Sequence, residues 1–325
     1  MTQSNNGRWL LLIHQIPPKP NYLRVKIWRR LQRLGAVAIK NSVYALPKND
    51  QTQEDFQWVL REIIEGRGDG TLCEARLIDG VTDDHVEGLF QSARAADYAQ
   101  IAEDARLLAK TLPVKVKPAE ANRIQLEQEI VKLRKRFDEV IAIDYFGAPG
   151  REAASGLVAG LEAGIRGNKA AAIAQSRVDR EKLRRKIWVT RKGIHVDRIA
   201  SAWLVRRFID EGAKFKFVPA KGYKPLSNEV RFDMFEAEFT HEGDHCTFEV
   251  LIDRAGIEDP ALSSIAEIIH DIDLKDAKFK RQEALGIESL IAGIAISHKD
   301  DKARLARGVA VFDDLYEYFR RKRGK

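Results

Sequence analysis

Cysteine is scarce. Cys73 and Cys246 stand far apart in 325 residues, too few and too distant for a disulfide framework or a CxxC redox motif. No run of about 18 apolar residues occurs, so no membrane span is expected. The opening MTQSNNGRWLLLIHQIPP holds one arginine, a short apolar run and no small-residue cleavage site, and reads as a strand rather than a signal peptide. These absences point to a cytoplasmic protein. Also missing are a P-loop, a GxGxxG fingerprint, a standard zinc spacing, an internal repeat and a low-complexity linker. What is present is an ordinary globular composition with 55 Lys and Arg against 48 Asp and Glu. The net charge of +7 allows a polyanionic partner without requiring one. The length suits two domains or more, each with its own core.

The N-terminal pattern is βαββαβ. Residues 9–16 suit a buried strand ended by Pro17 and Pro18. Asn21 is a suitable N-cap for a helix that stops at Gly35. Val37 to Ile39 and Val43 to Leu46 read as strands around a turn, 50–64 as a second helix, and 71–78 as a last strand. This order is ferredoxin-like and lacks the paired helices of a helix-turn-helix. On the first helix Leu23, Ile27, Leu31 and Leu34 form an apolar stripe. Lys26, Arg29, Arg30 and Arg33 form a basic one that no acid of the helix interrupts, with Arg24 and Lys40 beside it. Four cations on one face suit nucleic-acid phosphates, and they equally suit a solvated surface. Arg184, Arg185 and Lys186 are a second basic group.

From 81 to 185 the chain reads as a helical connector or dimerisation region, or equally as a helical bundle packed on its own chain, with helices at 83–111, 119–137 and 150–185. Residues 186–325 read as a mixed α/β domain. Strands are expected at 187–190, 215–218, 230–232 and 246–251, and helices at 260–270, 276–285, 286–297 and 300–321. The whole is an α/β (α+β) chain divided at 1–80, 81–185 and 186–325.

The densest chemistry lies in KIWVTRKGIHVDRIASAWLVRRFID, Lys186 to Asp210. A short strand turns through Gly193 into a helix, which puts Arg191, His195 and Arg198 around a helix N-terminus. Backbone N–H groups there favour anions, and guanidinium forks match tetrahedral oxyanions. A larger set, His195, Asp197, Asp233, His241, Cys246, Glu249, His270, Asp271 and Asp273, offers ligands for a divalent transition metal ion. Each of these residues also has an ordinary structural use.

GIHVDRIASAWLVRRFID resembles the C-terminal signature of the ChrB family, bacterial chromate-resistance regulators. Phe232 to Glu249, Ile268 to Asp276 and the N-terminal Trp9 to Pro47 fit the same family. The resemblance implies transcriptional control through operator DNA with chromate as effector. The chain is then expected to be a repressor of a chromate-resistance or efflux operon, a homodimer, and not an enzyme. Under it Arg24, Lys26, Arg29, Arg30, Arg33 and Lys40 are the DNA candidates, and Arg191, His195, Arg198 and His241 the chromate candidates. The rival expectation is a metal-dependent enzyme, hydrolase- or reductase-like, acting in chromate detoxification. His195 to Ala202 is weakly similar to DHH-type phosphoesterases, but their other acidic motifs are not evident.

Overall fold

In the computed structural model, residues 7–19, 21–111, 120–165, 177–219 and 222–322 are described, with side chains of the helix beginning at Glu120 described from 124 onward. Contacts group the chain into two units, Met1–Tyr98 with Arg136–Pro149 and Ala99–Lys135 with Gly150–Lys325.

The first unit has β1 (Trp9–Gln15), α1 (Asn21–Arg33), β2 (Val37–Lys40), β3 (Val43–Pro47), α2 (Asp50–Glu65) and β4 (Asp69–Ala75). The sheet order is β2-β3-β1-β4 with antiparallel neighbours, as a ferredoxin-like βαββαβ unit requires. Trp9, Leu10 and Leu12 of β1 are buried with Leu23, Ile27 and Leu31 of α1 and Phe56, Val59 and Ile63 of α2. The helix α3 (Asp83–Thr111) adds Phe90, stacked on Trp9 at 5.9 Å. Local signals set the boundaries. Gly35 takes a φ of +68° just past α1. Asn49 and Thr52 exchange reciprocal bonds of 2.9 and 3.1 Å at the start of α2, a capping box.

The chain enters the second unit within α3 and leaves it within α4 (Glu120–Ala142), which runs beyond its expected end. Next come α5 (Arg151–Ile165) and α6 (Arg180–Leu183); the rest of the helix expected at 150–185 falls partly outside the described residues. The second sheet is parallel, with β5 (Ile187–Arg191) between β6 (Lys214–Val218) and β7 (Glu229–Arg231). After β5 comes α7 (Val196–Leu204), which widens into a π-turn over Val205–Ile209. The remaining helices are α8 (Thr247–Ala255), α9 (Pro260–Leu274), α10 (Glu283–Ser297) and α11 (Asp301–Lys322). Among the described residues no helix is long and apolar enough to cross a membrane.

Two sequence expectations change here. Residues 246–251, expected as a strand, open α8. Their β-branched character loses to capping: Glu249 accepts the Cys246 N–H at 2.8 Å, and Asp197 accepts those of Thr247 and Phe248, each at 3.0 Å. The helix expected at 276–285 is instead a connection, and α10 begins at Glu283. Lys275, Ala277 and Lys280 adopt positive φ there, and Asp271 accepts the N–H groups of Phe279 (3.0 Å) and Arg281 (2.7 Å).

Glu229 at the start of β7 accepts from Leu226 N and Lys216 Nζ, each at 2.9 Å, and from the Tyr223 hydroxyl. Burial alone would raise its carboxyl, but these bonds hold it at about 2, below the ordinary 4.5. A depressed carboxyl contributes stability that is present above its unfolded pKa and is lost as pH falls through its folded one. Thermal melts should therefore fall between pH 4.5 and about 2. In Glu229→Gln that slope should be shallower, and equal slopes would contradict the assignment.

Candidate functional site

The strand–turn–helix at residues 187–204 delivers the central side chains of the second unit. Arg191 ends β5 buried, paired with Val218 of β6. The turn that follows presents the N–H groups of Gly193 and Ile194, and the Asp301 carboxylate accepts both, at 2.9 and 3.1 Å. The anion at this helix entry is thus a side chain of the protein itself. His195 is the N-cap of α7, exposed, and makes no side-chain capping bond.

Asp197 and Arg198 follow on the first turn of α7, both buried. Besides capping α8, Asp197 accepts from Ser201 Oγ at 3.4 Å. Burial first, then the charges of Asp233 and Asp273, push its carboxyl well above the usual range. Arg198 Nε lies 3.2 Å from the Asp233 carboxylate and donates to the Asp233 carbonyl at 3.1 Å. Asp233 has a φ of +43°, a left-handed backbone that Asp tolerates better than most residues. That conformation is held by the Arg198 bond and by Asp233 N donating to Phe239 O at 2.9 Å. Burial raises the Asp233 carboxyl despite Arg198 and His241.

His241 joins these groups from the segment before α8. Gly156 of α5 makes room for it: a Cβ at 156 would meet the His241 backbone at 2.9 Å. The imidazole Nε2 is 2.6 Å from Asp273 Oδ2, and Nδ1 is 3.4 Å from Thr247 Oγ1 and 3.8 Å from Asp233 Oδ1. Burial disfavours the imidazolium, but the Asp273 bond and the charges of Asp273, Asp233 and Asp197 push its pKa up to about 10. Burial would raise Asp273 as well, yet His241, Arg198 and Arg191 hold it below the ordinary carboxylate value. Arg191 lies 3.3 Å from Glu152 of α5, itself buried.

The nine ligand candidates therefore do not form one group. Asp197, Asp233, His241 and Asp273 converge, and ligand atoms of Asp197, His241 and Asp273 lie within 4.8 Å of one another. His270 belongs to a second group, bridging Glu249 at 2.8 Å and Asp276 at 3.3 Å, with Arg106 3.7 Å from Asp276. Cys246 is buried at the N-cap of α8, and burial pushes its thiol well up, away from the thiolate a metal takes. Asp271 holds the connection before α10. Glu152, Thr247 and Asp276 complete these groups. None carries a local sequence signal, because each acts on residues distant in the chain.

In the first unit, Arg24, Arg29, Arg33 and Lys40 are exposed. A groove of about 660 Å³ runs along α1 past Tyr22, Val25, Lys26, Arg29, Arg30 and Arg33. Glu62 of α2 lies 2.7 Å from Arg30 and 3.8 Å from Lys26, so an acid does reach the basic stripe, from a neighbouring helix. Trp28 and Trp58 are exposed, and Arg61 lies over Trp58 at 4.5 Å. Arg184 pairs with Glu181 at 3.2 Å.

Two family models match this chain: residues 24–174 fit the one described as Protein ChrB, N-terminal, and residues 188–319 the one described as ChrB, C-terminal domain. Protein ChrB of Cupriavidus metallidurans is 27% identical over 334 residues, covering 98% of this chain and 97% of that relative. No solved structure matches.

Proposed function

The chain belongs to the ChrB family, associated with chromate resistance, and from that premise we propose that it is a chromate-responsive transcriptional repressor of a chromate-resistance or efflux operon. It acts in the cytoplasm as a homodimer, binds operator DNA through the first unit, and is released when the second unit takes up chromate. It catalyses no reaction.

The observation that carries this reading is that Arg191, Arg198 and His241 are all buried and all act on the Asp273 carboxylate. Chromate is a tetrahedral dianion, and two guanidinium forks with an imidazolium suit its oxygens. These cations pair with Glu152, Asp233 and Asp273. An entering oxyanion would have to exchange partners with those carboxylates. Such an exchange gives the ligand different contacts in two states, the condition for shifting an equilibrium.

For the DNA, the exposed Arg24, Arg29 and Arg33 beside Trp28 offer phosphate contacts. Arg29→Ala combined with Arg33→Ala should weaken operator binding and reduce the slope of log affinity against log salt by about 2. Fluorescence anisotropy across a salt series measures this. A slope equal to the wild type would move the DNA surface off α1.

One observation favours a second reading, a metal-dependent hydrolase- or reductase-like enzyme: the closeness of Asp197, His241 and Asp273. Multiple turnovers of a phosphoester, or of chromate with an added electron donor, by metal-loaded protein would favour it over the repressor.

A further inference from the structure

We propose that Asp197, His241 and Asp273 bind a divalent first-row transition cation, each carboxylate giving one oxygen and the imidazole giving Nε2. The cation site stands on its own geometry; its consequence for the oxyanion rests on the chromate-responsive reading.

Ligands of one ion at about 2.1 Å lie about 3 to 4.2 Å from each other. The three donor atoms fall within 4.8 Å, and an ion would replace the proton shared by His241 Nε2 and Asp273 Oδ2, opening that pair from 2.6 Å to ligand spacing. Their supports are built. Asp197 is fixed by two backbone N–H groups of α8 and by Ser201. His241 is fixed by the close approach of α5 at Gly156.

A second, independent feature concerns the other imidazole nitrogen. A metal-bound histidine generally donates its remaining N–H to a carboxylate or another oxygen, which sets tautomer and ring orientation. Nδ1 of His241 faces Thr247 Oγ1 at 3.4 Å and Asp233 Oδ1 at 3.8 Å. Asp233 in turn is anchored by Arg198. Asp233 thus acts on the imidazole through Thr247, whose hydroxyl faces Nδ1 and donates to Asp233 Oδ1 at 3.3 Å, which makes Asp233 a positioning carboxylate.

The donor set selects the ion class. Two carboxylates with one imidazole and no thiolate suit manganese, iron or zinc better than a thiophilic ion. Three protein ligands leave positions open for outside oxygens. The cation also answers an electrostatic problem, since buried carboxylates repel an incoming dianion. With the ion bound, His241 is its neutral ligand and no longer an imidazolium donor to the oxyanion, and the ion, flanked by Arg191 and Arg198, turns the site from anion-repelling to anion-accepting. Chromate response should then require the metal.

The test uses full-length protein without a histidine tag, stripped with chelator and titrated with Mn2+, following free Mn2+ by electron paramagnetic resonance. The expected result is saturable binding at about one equivalent per chain, in line with a single three-ligand site. Asp273→Asn should weaken it at least about 100-fold and the positioning variant Asp233→Asn about 10-fold. His245→Gln, outside the cluster, should bind as the wild type. Circular dichroism melts establish that each variant is folded, and Asp233→Asn decides the question if Asp273→Asn fails to fold. Absence of saturable Mn2+ binding, or unchanged binding in the folded variants, overturns the proposal. Mn2+ binding lost in Asp273→Asn, while operator release from the Mn2+-loaded wild type is insensitive to chromate, keeps the cation site and removes the sensor reading.

Discussion

Replacing Trp203 by alanine should destabilise the protein by about 3–5 kcal/mol, the cost of emptying a fully packed aromatic site. The indole is 1% exposed. Its ring centroid lies 5.8 Å from Phe208, 5.9 Å from both Phe312 and Tyr316, and 6.4 Å from Phe248. Its Nε1 donates to Asp313 at 2.9 Å, which would lose that donor too. The surroundings cannot collapse far, because Gly308 brings α11 against Ile199 where no Cβ would fit. Since α7 carries Asp197 and Arg198 on its opposite end, the loss should also loosen the Asp197–Arg198 cluster. Denaturant unfolding followed by circular dichroism measures the cost; a value under about 1 kcal/mol would contradict this packing.

Arg191→Lys and Arg198→Lys should leave the fold and operator binding in place and remove most of the response to chromate. Alanine would be the harsher change, since removing one partner of a buried pair strands Glu152 or Asp233. Lysine keeps the cation but gives up the planar fork that matches two oxyanion oxygens. A charged hydrogen bond contributes about 1.5–3 kcal/mol. Each variant should therefore need about ten times more chromate for half-release, or beyond that. Release curves that overlay the wild type would take these arginines out of the oxyanion site.

The same cluster of side chains marks where sequence stops informing structure. The ferredoxin-like unit was legible because apolar spacing and the Gly35 stop are local signals. So was the strand–turn–helix around Gly193, where a strand hands over to a strong helical stripe. The start of α8 was not, because its decisive cap is Asp197, remote in sequence. Nor was the occupant of the Gly193 and Ile194 N–H groups, supplied by Asp301 at the start of α11. Composition marked nine ligand candidates but could not divide them: the partition into an Asp197–His241–Asp273 group and a Glu249–His270–Asp276 group is tertiary. Likewise an uninterrupted basic stripe on α1 says nothing of Glu62, which reaches it from α2.

The most direct measurement of the central claim is a binding titration on promoter DNA of the protein's own operon, run with no oxyanion, with chromate and with an equal concentration of sulfate. The account predicts tight binding in the first and third cases and release by chromate alone. Identical binding in all three, or no binding to that DNA in any, would contradict it.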